Sequence, residues 1–209
     1  MAHNRQPFDP NVFNFYEDWL PQLSRQSGGH AQEDHNARLG DHNSPRQSSP
    51  TPAEQSVARG ERLFNTRQFT ISGVAGLNDI VGKTAIKGTC SSCHSNPNIG
   101  SNALPLLLNT GIADGALRTL DLPLYTLRNR KTGAIQKTTD PGAAMTTGKW
   151  NDIGKFKVPS LRALETHFPY MHNGFSGELL DIINFYDNRF LIDLSDQDKA
   201  DLRAFLVTL

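Results

Sequence analysis

Residues 87–96 read KGTCSSCHSN, and this stretch holds both cysteines of the 209-residue chain, Cys90 and Cys93, followed directly by His94. Two thiols separated by two residues on a helical turn can reach the two vinyl groups at one edge of a porphyrin, and a histidine after the second thiol then lies beneath the iron. The spacing therefore predicts one covalently attached haem c, bound through Cys90 and Cys93, with His94 as an iron ligand.

The same pentapeptide has two other interpretations, half of a zinc site and a redox-active dithiol. A zinc site needs about four protein ligands, and the chain has no second cysteine pair. A thioredoxin-like dithiol is typical of a βαβ setting and does not require the neighbouring histidine. Haem attachment is the interpretation that uses all three residues.

The overall charge gives no reason to expect a nucleic-acid partner. The chain has 21 basic and 21 acidic residues, so its formal net charge is zero, and this balance removes any general argument for binding nucleic acid or an anionic membrane. No apolar run approaches the ~20 residues that span a bilayer, so no transmembrane segment is predicted either.

The expected compartment rests on the cysteines. The start, MAHNRQPFDP, lacks the basic-then-apolar pattern of a signal peptide, which by itself favours the cytoplasm. Bacterial thioether attachment of haem, however, takes place outside the cytoplasm. We therefore expect a periplasmic or otherwise exported protein.

Composition divides the chain into an extension over residues 1–52 and a domain over residues 53–209. Residues 25–52 are polar almost throughout and include three histidines, and such a stretch cannot bury enough apolar surface to offset its ordering entropy. The extension is therefore predicted to be flexible, with solvated histidines. Its first 24 residues carry an aromatic patch, which we expect to dock on the chain's own domain or on a neighbour. The patch comprises Phe8, Phe13, Phe15, Tyr16 and Trp19, and the histidines are His30, His35 and His42.

The domain is predicted to be all-α, with a few helices and long loops around the haem. The first helix begins at Thr51 or Pro52, and the last follows a cap at Ser195, with Asp198 three residues on. A third helix spans 178–186. Residues 70–160 are rich in Gly, Pro, Asn and Thr and show few periodic runs. The predicted buried positions on the three helices are Val57, Gly60 or Glu61, Phe64, Leu179, Ile182, Ile183, Tyr186, Leu202, Phe205, Leu206 and Leu209.

Several motifs resemble the haem-bearing C-terminal domain of the bacterial di-haem cytochrome c peroxidases and their relative MauG. They are Asp140-Pro141-Gly142, Ile153-Gly154-Lys155-Phe156-Lys157-Val158-Pro159-Ser160-Leu161-Arg162, Pro169-Tyr170-Met171-His172-Asn173-Gly174, Leu179 and Phe185-Tyr186. With the first helix and the cysteine motif, the resemblance spans about residues 55–209. It implies a cytochrome c fold in which the first and last helices cross.

The resemblance also bears on the second axial ligand. In the peroxidases a methionine about fourteen residues beyond the histidine of the His-Asn/Asp-Gly turn binds iron, and in MauG a tyrosine does so. Counting from His172, the corresponding residue here is Tyr186, which the resemblance implies as the ligand. Met171 is the alternative, and an open or water-ligated iron is a third arrangement. Met145, in a Gly- and Thr-rich loop, is predicted to be a loop residue.

Three further residues are candidates for supporting roles. Arg162 is predicted to pair with a haem propionate, because a guanidinium matches the carboxylate fork; an ordinary surface ion pair is the alternative. His172 either stabilises its turn by a hydrogen bond or lies near the haem pocket. Trp150 is predicted to be a half-buried packing residue, with electron transfer to the surface as the alternative.

The single attachment motif departs from the two-haem pattern of the family. The first functional hypothesis is therefore a single-haem electron-transfer protein or module, without catalytic residues of its own, which exchanges electrons with an unidentified redox partner protein. The alternatives are a peroxidase-like or MauG-like haem oxidoreductase, and the haem-bearing fragment of a larger multihaem enzyme. The oligomeric state does not follow from the sequence.

Overall fold

The structure is a computed structural model that describes residues 13–20, 49–95, 99 and 106–209. Phe8, the three histidines of the polar tract and most of that tract lie outside these ranges. Helices α1 to α5 span Pro52–Thr66, Asn78–Val81, Ala144–Thr147, Leu179–Phe190 and Asp196–Leu206. Strands β1 to β6 span Phe69–Ser72, Ala85–Gly88, Leu107–Leu108, Tyr125–Arg128, Ile135–Thr138 and Phe156–Lys157. Among the described residues, no helix combines the length and apolar character that crossing a bilayer requires.

The first and the last helix, α1 and α5, each begin with a reciprocal cap, as predicted. The Thr51 hydroxyl accepts the Glu54 N–H and the Glu54 carboxylate accepts the Thr51 N–H, with Pro52 in the first turn of α1. Ser195 and Asp198 make the same exchange at the start of α5, at 3.1 Å in each direction. Such boxes satisfy main-chain donors that a helix leaves unpaired. The predicted starts of the first and last helices are confirmed.

Helices α1 and α5 pack directly against each other, which confirms the expected contact between the first and last helices. Gly60 of α1 is buried against the main chain of Asp201 in α5. The Asp201 carboxylate accepts two hydrogen bonds from Arg59, at 2.7 and 2.9 Å, and one from Ser56 at 2.5 Å. The contact therefore combines a close main-chain approach with hydrogen bonds from partly exposed side chains to one buried carboxylate.

Helix α4 runs four residues past its predicted end and stops at Phe190. Leu191 follows in the left-handed conformation, with a φ of 51°, and donates its N–H to the Asp187 carbonyl. The predicted stripe of Leu179, Ile182 and Ile183 is buried. The helix continues because its fourth turn also has an apolar partner: Phe190 stacks on Phe69 of β1 at 5.5 Å.

The prediction of a purely helical domain is wrong in one respect. Among the described residues, three two-stranded antiparallel sheets lie between residues 69 and 157, almost entirely in the stretch 70–160 for which the sequence predicts loops: β1 pairs with β2, β3 with β6, and β4 with β5. The strands have two to four residues, too short for the alternation of apolar and polar residues to stand out. Strand β4 has no fully buried side chain, whereas β1 does alternate, with Phe69 and Ile71 inward.

Two hydrophobic clusters form the core and meet at the cysteine motif. The first lies beneath α1, α4 and α5, and the second lies between β1, β3 and the end of α4. The first contains Phe13, Phe64, Leu161, Tyr170, Leu179, Ile182, Ile183, Leu202, Phe205 and Leu206. The second contains Phe69, Ile71, Val74, Leu77, Leu108, Val158, Phe190 and Ile192. Cys90, Tyr186 and Leu194 pack against both clusters.

Candidate haem site

The cysteine motif forms one tight helical turn, as its spacing predicts. Residues Cys90–Ser92 are a 3-10 helix that begins after Thr89, whose N–H donates to the Ser92 hydroxyl at 2.9 Å. The N–H groups of Cys93 and His94 both donate to the Cys90 carbonyl, at 3.2 and 3.1 Å. This turn brings the two thiols and the imidazole together within five residues of chain.

The two thiols form no disulfide and are half-buried, and their burial favours the protonated form. Burial raises the pKa of Cys90 to about 12, with a smaller contribution from Cys93, and burial raises the pKa of Cys93 to about 11. Redox-active Cys-x-x-Cys pairs have a lowered thiol pKa, so these values disfavour a thioredoxin-like dithiol. Within the described ranges no three His, Cys, Asp or Glu side chains gather as a metal site, so those residues do not complete a zinc site.

His94 has a neutral imidazole and a buried ring nitrogen without a standard hydrogen bond, two features of a metal ligand. Burial lowers its pKa to about 4, and the carbonyl of Pro159 offsets part of this effect. The imidazole is therefore neutral at pH 7. Its Nδ1 is buried and makes no hydrogen bond of standard geometry within the described part of the chain. A ligating histidine typically donates its second ring N–H to a carbonyl group, and Pro159 supplies a carbonyl beside the ring.

The residues present therefore fit a covalently bound haem. Two enclosed thiols, a neutral imidazole and the junction of two apolar clusters give the donor chemistry and the surroundings that such a group requires. Pro159, which sequence reasoning missed as a site residue, contributes only its main-chain carbonyl. Every residue carries that group, so the sequence contained no signal for it.

Tyr186 lies beside the cysteine motif. Its ring stacks on Phe190 at 6.1 Å and makes an edge contact with Phe185 at 5.1 Å. Burial raises the pKa of its hydroxyl, the nearby thiols add to that effect, and a hydrogen bond from the side chain of Thr110 opposes it. The hydroxyl is thus protonated unless a cation lies next to it.

Met171 lies in the same part of the core as Cys90. It has a left-handed backbone, with a φ of 67°, and packs half-buried against the first cluster. Met145, in contrast, is 75% exposed, in keeping with the prediction of a loop residue. The assignment of the second axial ligand to Tyr186 or Met171 stays a prediction.

Arg162 and Trp150 have different surroundings. The Arg162 side chain is exposed, and its main-chain N–H donates to the Ser160 hydroxyl at 3.2 Å. Its predicted contact with a haem propionate stays a prediction. Trp150 is half-buried in the 3-10 helix Trp150–Asp152, as the packing interpretation expects.

His172 pairs with a carboxylate that sequence reasoning did not assign to it. Its Nδ1 lies 2.5 Å from Asp140 Oδ2, and its ring packs on Phe156 at 4.9 Å. The next residue, Asn173, donates to the Ile112 carbonyl and to the Thr139 hydroxyl. The bond of His172 joins its turn to a distant residue, so the role of His172 in the turn or near a haem stays a prediction. The signal was present in the sequence, because Asp140 and His172 both belong to the motifs that carry the family resemblance.

The chain is similar in sequence to several bacterial peroxidases. It is 30% identical over 143 residues to the cytochrome-c peroxidase IdrP1 of Pseudomonas sp. (strain SCT), and the match covers 59% of this chain and 37% of that protein. It is 32% identical over 136 residues to the cytochrome-c peroxidase IdrP2 of Denitromonas iodatirespirans, with coverage of 59% and 36%. No family model and no solved structure matches.

The chain spans little more than a third of the length of the curated relatives it matches. Within that span the resemblance that the sequence motifs indicated is confirmed, and the chain is a distant homologue of the bacterial cytochrome-c peroxidases.

Proposed function

We propose that this chain is an exported haem c domain with a cytochrome c fold, and that it acts as a peroxidase-like haem oxidoreductase. The observation that carries the proposal is the similarity to cytochrome-c peroxidases in a chain that has an intact Cys-x-x-Cys-His turn. The packing of α1 against α5 supports the fold. The thioether chemistry supports export.

The attachment chemistry uses the thiols in the form that the fold provides. In haem attachment each protonated thiol would add across one vinyl double bond, with sulfur bonding to one carbon and hydrogen to the other, so the addition would consume no oxidant or reductant. His94 would hold the iron through a neutral ring nitrogen, and the nearby Pro159 carbonyl would orient the ring. When bound, the haem supplies one-electron redox chemistry and a site for peroxide.

The residue that would provide the second iron ligand would decide between catalysis and simple electron transfer. Tyr186 is the proposed second ligand, because its hydroxyl lies near both cysteines. Met171 is the alternative. A tyrosinate is an anionic donor that favours ferric iron and lowers the potential. Arg162 is proposed to hold a propionate, since its side chain is exposed and a guanidinium matches the carboxylate fork.

The test is peroxide turnover by the full chain matured with the bacterial cytochrome-assembly machinery. We expect a red protein that oxidises a reduced cytochrome with hydrogen peroxide and forms a high-valent absorption spectrum in stopped flow. A matched His94→Met protein should keep its thioether-bound haem and change its spin state and turnover. A colourless product, or a haem protein that does not react with peroxide in its oxidised or its reduced state, would overturn the peroxidase proposal.

A single-haem electron carrier is the second candidate, because the chain has cysteines for only one attachment site. In that role the protein would pass single electrons to and from a redox partner protein. A six-coordinate, low-spin iron that is inert to peroxide and carbon monoxide but exchanges electrons rapidly would favour it.

A further inference from the structure

Residues 13–20, here called the strap, pack on helices α1 and α5 although residues 21–48 separate them from the domain in sequence. Phe13 is the anchor of the strap. Its side chain is completely buried, and its ring makes edge contacts with Phe64 at 5.5 Å and Phe205 at 5.8 Å. The aromatic patch of the extension therefore docks, for these residues, on the chain's own domain.

Two buried side chains of α1 bind the main chain of the strap. Asn65 pairs with both main-chain groups of Phe13: its Oδ1 accepts the N–H at 3.2 Å and its Nδ2 donates to the carbonyl at 2.6 Å. The Glu61 carboxylate accepts the N–H groups of Phe15 and Tyr16 at 2.6 and 2.9 Å, one on each oxygen. Both α1 residues are at least 97% buried; the two hydrogen bonds of Asn65 are buried and the two of Glu61 are partly buried.

Glu61 is difficult to explain without an occupant of this site. A carboxylate buried in a helix face needs hydrogen-bond donors, and the strap supplies two. Burial raises the pKa of Glu61, and the two N–H groups oppose that effect.

The strap is attached to the domain differently from the other elements. Apart from Phe13, its side chains are exposed or half-buried, and Tyr16 packs on Trp19 of the strap itself at 4.7 Å. Helix α1 is capped by Thr51 and Glu54 without the strap, and α1 meets α5 through Gly60 and Asp201. The domain therefore has helix contacts of its own, and the strap adds one fully buried side chain, Phe13, and an edge contact of Tyr16 with Phe205 at 6.3 Å.

We propose that Glu61, Phe64, Asn65 and Phe205 form a peptide-binding site whose occupant is the strap of the same chain. The site recognises an extended segment by four main-chain hydrogen bonds and by one phenylalanine in a closed aromatic pocket. A tethered ligand acts at a high effective concentration, so the strap occupies the site at rest while remaining exchangeable. The site lies next to the proposed haem ligand, because the Phe64 ring is 6.3 Å from that of His94.

Exchange can be tested on the full chain with a specific protease site inserted after Asp34. After cleavage, the N-terminal fragment should co-elute with the domain in gel filtration. A fluorescent peptide of residues 11–20, NVFNFYEDWL, should then bind the domain and displace the fragment. We expect Phe13→Ala in the peptide to weaken binding at least 100-fold and Glu61→Gln in the domain to weaken it at least tenfold.

Phe15→Ala in the peptide is the matched control. Phe15 has the same side chain and is 49% exposed, and the substitution keeps its main-chain N–H, so binding should change less than about threefold. Equal losses for the two phenylalanines, or a fragment that cannot be displaced without unfolding the domain, would overturn the proposal. A dimer that requires Phe13 would overturn the assignment of the occupant to the same chain.

Discussion

A Cβ atom placed on Gly60 would lie 1.9 Å from the main-chain oxygen of Asp201, so α1 and α5 approach each other at a point where only glycine fits. This contact joins the first and last helices of the domain, which both pack on the first hydrophobic cluster. Since the obstructing atoms belong to a helix backbone, no side-chain rotation can relieve a larger residue.

Gly60→Ala should therefore lower the free energy of unfolding by about 3 kcal/mol or more, because the two helices must separate to admit the methyl group. Urea unfolding followed by far-UV circular dichroism measures the loss. Gly177→Ala is the control, since no atom lies within 4 Å of a Cβ at that position. If the two variants are equally stable, the helices are not in close contact at Gly60.

Replacing both Cys90 and Cys93 by alanine should abolish covalent haem attachment, because no other thiol exists in the chain. Haem staining of the denatured protein, and extraction of the haem into acidified butanone, measure the attachment. Ser95→Ala, one residue beyond the motif, should leave staining unchanged. Covalent haem in the double variant would contradict the proposed site.

Tyr186→Phe should remove the tyrosinate signature from the optical and EPR spectra of the oxidised protein and raise the reduction potential, because the anionic ligand that stabilises ferric iron is lost. Axial ligands set haem potentials over a range of about 0.8 V, so a shift on the order of 0.1 V is expected. Met171→Leu is the companion variant. If it changes the spectra and Tyr186→Phe does not, Met171 is the ligand.

Asp201 should stabilise the fold at neutral pH and lose that effect in acid. Burial alone would raise its pKa, but hydrogen bonds from Arg59, Ser56 and Gln197 together lower it below the ordinary value of 3.8. A carboxyl whose folded-state pKa is lowered contributes its full stability above the unfolded-state pKa, and the contribution disappears as the pH falls through the folded-state value.

Asp201→Asn should consequently cost about 2 kcal/mol at pH 7, with the difference from the wild type shrinking below about pH 4. Urea titrations at a series of pH values measure it. Asp121→Asn, at an exposed position, should change the free energy of unfolding by less than about 0.5 kcal/mol at pH 7. A cost for Asp201→Asn that persists unchanged at pH 3 would show that its charge is not responsible.

Predictions that depended on neighbouring residues were the most successful. The caps at Thr51 and Ser195 and the turn at Cys90 were predicted because each needs only hydrogen bonds between residues a few positions apart. The end of α4 was placed too early, since its last turn packs on Phe69, more than a hundred positions away. The short sheets were missed because strands of two to four residues leave little periodic signal.

The amino-acid sequence by itself determined the attachment turn of Cys90, Cys93 and His94, since the spacing of thiols and imidazole along five residues already sets their chemistry. Only the tertiary structure decided what surrounds that turn: the Pro159 carbonyl beside His94, the position of Tyr186 near both thiols, and the burial of Phe13 against Phe64. These relationships join residues that are distant in the chain. They arise because burying apolar side chains in one core also brings their polar neighbours together.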